Sequence, residues 1–217
     1  MSSSATNTGI DLYTWATPNG RKVSIMLEEL GLEYRVCPID IGKGDQHKDD
    51  YVSISLNRKI PAIVDHDSNV TMMESGAILM YLANKTGKLM APMGSDKFWE
   101  QMEWLMFQMG HIGPMLGQTH HFVKFNPGKS AYAEERYSKE NARLYGVLEQ
   151  RLAEREYICD DYSLVDIATW PWISRFEFQQ MNLNEYPRLL DWYLRIADRA
   201  AVQKGYGVPE ELPVPRP

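Results

Sequence analysis

Three short stretches in the first half of the chain carry side chains whose types and spacing could do chemistry. The first is Thr17-Pro18-Asn19-Gly20, a turn between an apolar run that starts at Ile10 and a helical one. At a helix N-terminus, exposed N–H groups and the helix dipole favour an anion, a thiolate included. Thr17 offers a hydroxyl donor and Asn19 an amide donor, and either can hydrogen-bond a sulfur anion and lower its pKa. A thiol-redox protein carries Cys-Pro-x-Cys in such a turn. Here Thr17 and Gly20 fill the two cysteine positions, so any thiol chemistry needs a borrowed thiol. The plainer reading of the same residues is a helix N-cap.

The second stretch is Lys59-Ile60-Pro61, ahead of the apolar run "AIVDH". A proline that opens a strand is tolerated at a sheet edge. In the cis form, found at ~5% of X–Pro bonds, it would turn the Ile60 N–H and C=O outward, ready for an extended, peptide-like ligand. The third stretch is Glu74-Ser75-Gly76, where a strand meets a helix. Ser75 and its N–H can hold a carboxylate there, and Glu74 can pair with an ammonium. A ligand with both groups on one carbon is an α-amino acid terminus. Ser75 alone also reads as a capping serine.

Composition narrows the setting. The 217 residues, 44% hydrophobic and 24% charged, can bury a sizeable core in one large domain or two small ones. A net charge of −6 argues against a nucleic-acid surface. No apolar run approaches the ~20 residues that span a bilayer. The opening "MSSSATNTG" reads as a disordered leader rather than a signal peptide. Cys37 and Cys159 lie outside any Cys-x-x-Cys, which favours a reduced, cytoplasmic setting. No metal site is expected, since His120-His121 has no third ligand at useful spacing and reads as surface or capping residues. Tyr13 and Cys37 fall inside strand patterns, where core packing and a buried, inert thiol are expected.

The elements that must position the three stretches fall into halves with different periods. Residues 10–88 alternate in the order β-α-β-α-β-β-α: a strand from Ile10, a helix ending at Gly31, a strand around Val36, and a short helical piece after Gly44. A hairpin turning at Asp67-Ser68-Asn69 and a helix from Ser75 to Gly87 complete the half. A right-handed crossover followed by a hairpin is the expected topology. Residues 96–203 show helical period throughout, and their methionine and tryptophan stripes read as core. Ser163 and Asp166 form a capping-box pattern worth ~1 kcal/mol. Pro171 should kink its helix. One last helix is expected from Tyr186 to about Val202, with flexible tails over residues 1–9 and 204–217.

The pattern "TPNGRKVSIMLEE … NRKIPAIVD … MESGAILMYLA", followed by a helical half containing "SLVDIATWPW", resembles a cytosolic glutathione transferase. The stretches "IGKGDQHK", "GPMLGQTHHF" and "AEERYSKE" are similar to the bacterial nu class, and fungal relatives of a yeast nitrogen-regulation prion protein share much of the pattern. The resemblance runs from about Ile10 to Ala201. It implies an α/β plus all-α architecture: a thioredoxin-like domain that binds glutathione, a helical domain and a homodimer. It implies that Thr17 and Asn19 contact the glutathione sulfur, and that Ile60, before a cis Pro61, pairs with the cysteinyl backbone. Glu74 and Ser75 would hold the γ-glutamyl end, with Gln46 and Lys59 near the glycine carboxylate. Arg136 would approach from the partner subunit. The implied activity is glutathione-dependent disulfide reduction with modest conjugation, on a disulfide, a peroxide or another small electrophile. Glutathione is then the cosubstrate, reduced or as its disulfide. The alternative is a non-catalytic regulatory or binding protein on the same fold. Trp104, His111, Phe122, Trp170 and Phe176 are candidate walls for the second substrate.

Overall fold

Strand and helix alternate through the first half as their periods require. In the computed structural model, which describes residues 9–217, β1 (Ile10–Thr14) leads into α1 (Pro18–Leu30) and β2 (Tyr34–Pro38). The leader expected over residues 1–9 lies outside the described residues, Gly9 excepted. After a 3-10 turn at Asp45–His47 come α2 (Asp49–Val52), β3 (Ala62–Asp65), β4 (Val70–Met73) and α3 (Ser75–Thr86). The sheet order is β2-β1-β3-β4, with β1 and β2 parallel and the other two pairs antiparallel. A helical crossover allows the parallel β1–β2 pair, and a tight turn joins the antiparallel β3 and β4. This is the expected thioredoxin-like βαβαββα domain.

The second half is helical, as expected. Ser95 caps α4 (Asp96–Phe107) by accepting the Phe98 N–H at 3.2 Å. A π-helical turn, Gln108–Ile112, then bends the chain into α5 (Gly113–Thr119), and a second π-helical turn covers His120–Phe125. The rest comprises α6 (Ala131–Arg151), α7 (Leu164–Ile173), α8 (Pro187–Ala197) and α9 (Ala200–Tyr206). Pro171 lies inside α7, which ends soon after it, at Ile173. No helix is long and apolar enough to cross a membrane among the described residues.

Two expectations are corrected here. The single last helix is divided into α8 and α9, because Arg199 takes an extended backbone (ψ 129°). Its guanidinium grips both oxygens of Glu29, at 2.6 and 2.8 Å, and lies 3.9 Å from the Tyr162 ring centroid. Nor is residue 204 the start of a loose tail. α9 runs on to Tyr206, the Tyr193 hydroxyl donates to the Pro215 carbonyl at 2.7 Å, and Arg216 pairs with Asp198.

α1 is the helix the two halves share. It packs against β1 and α3 on one side and α7 and α9 on the other, so that Arg21 to Leu27 are all buried. α9 approaches so closely that a Cβ on Gly205 would lie 2.6 Å from the Ile25 Cα. Gly205→Ala is therefore expected to destabilise the fold by about 1–3 kcal/mol through overpacking. That is a fall of several degrees in Tm, and an unchanged Tm would show that the two helices separate freely.

The capping box also does more than cap. Ser163 Oγ accepts the Val165 N–H while the Asp166 carboxylate accepts the Ser163 N–H at 3.0 Å. The same carboxylate takes the Ile158 N–H at 3.0 Å and the Trp192 indole at 2.9 Å, fully buried. Asp166→Ala strands several buried donors at once, so its expected cost is about 3 kcal/mol or more rather than ~1. Chemical denaturation measures it, and a loss near 1 kcal/mol would mark Asp166 as a simple cap.

Candidate active site

Thr17 caps α1 with an extended backbone (φ −118°, ψ 162°), and its Oγ accepts the Gly20 N–H at 3.3 Å. With that oxygen used as acceptor, the hydroxyl proton is left to donate. Pro18 opens the helix, where no N–H is needed. Asn19 is fixed from the other half of the molecule: Trp172 Nε1 donates to Asn19 Oδ1 at 3.1 Å. An indole is a donor only, so it selects the carboxamide oxygen and leaves the Nδ2 hydrogens facing away from it. Gly20 lies against the end of β1. A Cβ there would be 2.3 Å from the Trp15 carbonyl oxygen and 2.4 Å from Thr14 Oγ1. The second cysteine position has no room for a cysteine.

The other two stretches meet this turn across a groove. The Ile60-Pro61 peptide is cis. Hydroxyls of Tyr51 and Ser55 donate to the Lys59 carbonyl at 2.7 and 2.9 Å, whereas among the described residues no hydrogen bond uses the Ile60 N–H or C=O. Glu74 holds a left-handed backbone (φ 73°), costly for a residue with a side chain, and Asn57 Nδ2 donates to its Oε1 at 3.3 Å. Ser75, buried, begins α3. Asn19, Lys59, Ile60, Pro61, Glu74 and Ser75 all line a groove of about 230 Å³.

A second cavity, about 330 Å³, shares Asn19 and Met109 with the groove and is walled by Lys22, Gln108 and Trp172. Gly117 on α5 keeps it open, since a Cβ there would press to 3.3 Å on the Trp172 ring. Gln108 Oε1 accepts from Lys22 Nζ at 2.9 Å, and its buried Nε2 has no hydrogen-bond partner among the described residues. Asn19 thus stands between two spaces. The groove's lining suits a peptide-like ligand with charged ends.

Not every expected residue joins the groove. Thr17, half-buried beside Asn19 in sequence, is not among the residues that line either cavity. Gln46 lies on the 3-10 turn, its Nε2 against the Ile41 carbonyl at 3.5 Å. Arg136 lines a different cleft, about 530 Å³, with Met115, Tyr132 and Arg143. Of the aromatics expected around a second substrate, Trp170 and Phe176 are core, and Phe122 stacks on Tyr137. Trp104 meets Phe107 edge-on and His111 stacks on it. Trp172 is the one that lines the cavity; in "WPW" the spacing alone does not say which tryptophan turns inward. The sequence does not single out Lys22, Gln108 or Asn57, because a lysine or amide in a helical or polar run carries no signal of its own.

His120 is not a surface residue. It is buried, stacked on Trp172 with centroids 5.6 Å apart, and its Nε2 faces Gln179 Nε2 at 3.1 Å. Burial, aided by the Arg175 charge, lowers its pKa to about 4, so it is neutral at pH 7. The chain's own nucleophiles are quenched in the same way. Burial raises the pKa of Tyr13 and of the half-buried Cys37, and pushes Cys159 up to about 12. Among the described residues no group of three His, Cys, Asp or Glu side chains can hold a metal ion.

Comparison with known proteins agrees with this geometry. Residues 8–84 match the glutathione S-transferase N-terminal domain and residues 112–200 its C-terminal domain. The disulfide-bond oxidoreductase YfcG of Escherichia coli is 44% identical over 88% of this chain and 92% of its own. The transcriptional regulator URE2 of Saccharomyces cerevisiae is 32% identical over 87% of this chain and 65% of its own. A glutathione transferase from Pseudomonas putida, solved with one glutathione disulfide per subunit, superposes with a TM-score of 0.88 at 36% identity, covering 95% of this chain and 94% of that one. One from Burkholderia graminis, with two glutathione molecules per subunit, gives 0.89 at 40% identity, covering 97% and 92%. Fold, matched domains and relatives along nearly the whole chain lead to one conclusion: the chain belongs to the glutathione transferase family.

Proposed function

We propose that this protein is a cytoplasmic, homodimeric glutathione-dependent disulfide reductase that also turns over other small electrophiles modestly. The observation that carries this reading is the Asn19 carboxamide, held by Trp172 at the junction of the two cavities. Glutathione lies in the groove with its γ-glutamyl ammonium at Glu74 and its carboxylate at Ser75. Its cysteinyl backbone pairs with Ile60, and its glycine carboxylate lies near Lys59 and Gln46. The partner subunit's Arg136 adds a cation to the ligand.

The sulfur then meets the N-terminus of α1, where Thr17 Oγ–H and Asn19 Nδ2–H stabilise the thiolate. A free thiol has a pKa of ~8.5 and is only a few per cent ionised at neutral pH. Lowering that value by about two units, ~2.7 kcal/mol, makes most of the bound ligand reactive. The thiolate attacks one sulfur of a disulfide in the second cavity and expels the other as a thiolate, which takes up a proton from solvent. A mixed disulfide with glutathione remains.

Similarity to a transcriptional regulator supports one second reading, glutathione binding without turnover. Purified protein with glutathione and a small mixed disulfide separates the two: binding without reduction would favour the regulator.

Replacing both donors, Thr17→Ala with Asn19→Ala, should leave glutathione affinity within a few-fold. The disulfide-reduction rate should fall about ten- to a hundred-fold, because a hydrogen bond to a charged group is worth ~1.5–3 kcal/mol. The pH–rate profile should move toward that of the free thiol, and a wild-type profile would reduce the turn to a helix cap. Trp172→Phe, which removes the indole donor from Asn19 and also trims the ring that lines the second cavity, should lower the rate several-fold and spare glutathione affinity measured by calorimetry. Equal losses in both would mean the tryptophan merely packs.

A further inference from the structure

Lys22 is buried without an anion. It is 1% exposed, and no carboxylate of the described residues forms an ion pair with it. Its ammonium faces three neutral acceptors: Gln108 Oε1 at 2.9 Å, Ser75 Oγ at 3.4 Å and Met109 Sδ at 3.7 Å. Three donors meet three acceptors, yet desolvating a cation with no counter-charge is costly. Burial pushes the Lys22 pKa down to about 7 against the pull of Glu74. Glu74, at the start of α3, is the charged group whose field reaches Lys22. Arg21, next on α1, turns away to lie 3.6 Å from the Tyr206 ring centroid, and Gln108 and Met109, from the π-helical turn, are uncharged.

Ser75 lines the groove and Lys22 the second cavity, so their hydrogen bond crosses the wall between the two. A hydroxyl that accepts from an ammonium must aim its own proton elsewhere. Met109 Sδ, 4.0 Å away, is a weak acceptor and a poor rival to a carboxylate. We propose that Lys22 is a positioning residue that acts through Ser75, turning its hydroxyl toward a ligand carboxylate at the start of α3 and supplying the buried counter-charge behind it. The inference rests on reading the groove as a glutathione site.

A measurable linkage follows. An anion at Ser75 favours the charged lysine, so the pKa of Lys22 rises when the ligand binds. In the free protein the amine loses its proton as pH rises through about 7. Binding above that pH must therefore take up a proton, and affinity must weaken as pH rises. Calorimetry with S-methylglutathione, which has no ionisable thiol, tests this at pH 7.5 in two buffers of different ionisation enthalpy. Roughly half a proton or more should be taken up per site by the wild type. Lys22→Arg, charged at every pH used, should bind with that uptake largely gone, and Lys22→Met should bind about tenfold more weakly.

Wild-type binding without proton uptake overturns the role of Lys22 and leaves the groove reading intact, whether or not the variants fold. Uptake that persists in Lys22→Arg overturns it too. No binding of S-methylglutathione to the wild type would sink the groove reading and this inference with it.

Discussion

A helix enclosed on every side has no wet face for its polar residues, and the body of α1 is enclosed by β1, α3, α7 and α9. Its polar side chains turn to partners inside, although Arg21 Nη1 and Nη2 form no hydrogen bond among the described residues. Arg21 stacks on Tyr206 and donates to its carbonyl at 3.1 Å, Ser24 donates to the Gly205 carbonyl at 2.6 Å, and Glu29 receives Arg199. These bonds all reach α9 or the residue before it, so the helix that carries the Thr17–Gly20 turn is clamped by the far end of the chain. Its N-terminus stays open while its body cannot shift. A site made of dipole and donors needs that, because such groups act only from a fixed position.

What the sequence makes legible is what a few neighbouring residues decide. Thr17 as cap, Gly31 and Gly87 in left-handed conformation, the Asp67-Ser68-Asn69 turn and the Ser163–Asp166 box each rest on contacts within a turn or two. The groove residues Ile60, Glu74 and Ser75 were legible for a related reason: each marks a junction between elements. Trp172 bonding Asn19 across 153 positions was not, nor was Arg199 breaking the last helix to reach Glu29. His120 misleads for the same cause. Alone in sequence it looks solvated, and only the packing of Trp172 and Gln179 makes it core.

The chemistry of the chain is that of an environment rather than of a reactant. Its own thiols and Tyr13 all have pKa values raised by burial, so none supplies a ready nucleophile. The groups around the turn are donors: the Thr17 hydroxyl, the Asn19 amide, the Gln108 amide and the Lys22 ammonium. Donors without a nucleophile of their own describe a place that stabilises charge on something brought in. The fold is shared by a disulfide-bond oxidoreductase and a transcriptional regulator, so it does not by itself choose between them.

The crowding at Gly20 reaches beyond the turn itself. With a carbonyl oxygen 2.3 Å from where a Cβ would sit, a one-residue change cannot restore the dithiol of a thioredoxin. Under the proposed reaction a mixed disulfide in the groove is bonded to no residue of the chain, and no neighbouring sulfur at that position can reduce it. It would leave by dissociation, and its further reduction would fall to a second glutathione thiol, so the pace of that later step would follow the ambient thiol concentration. A protein of this design would quicken and slow with the reducing power of its surroundings, with no separate sensor needed.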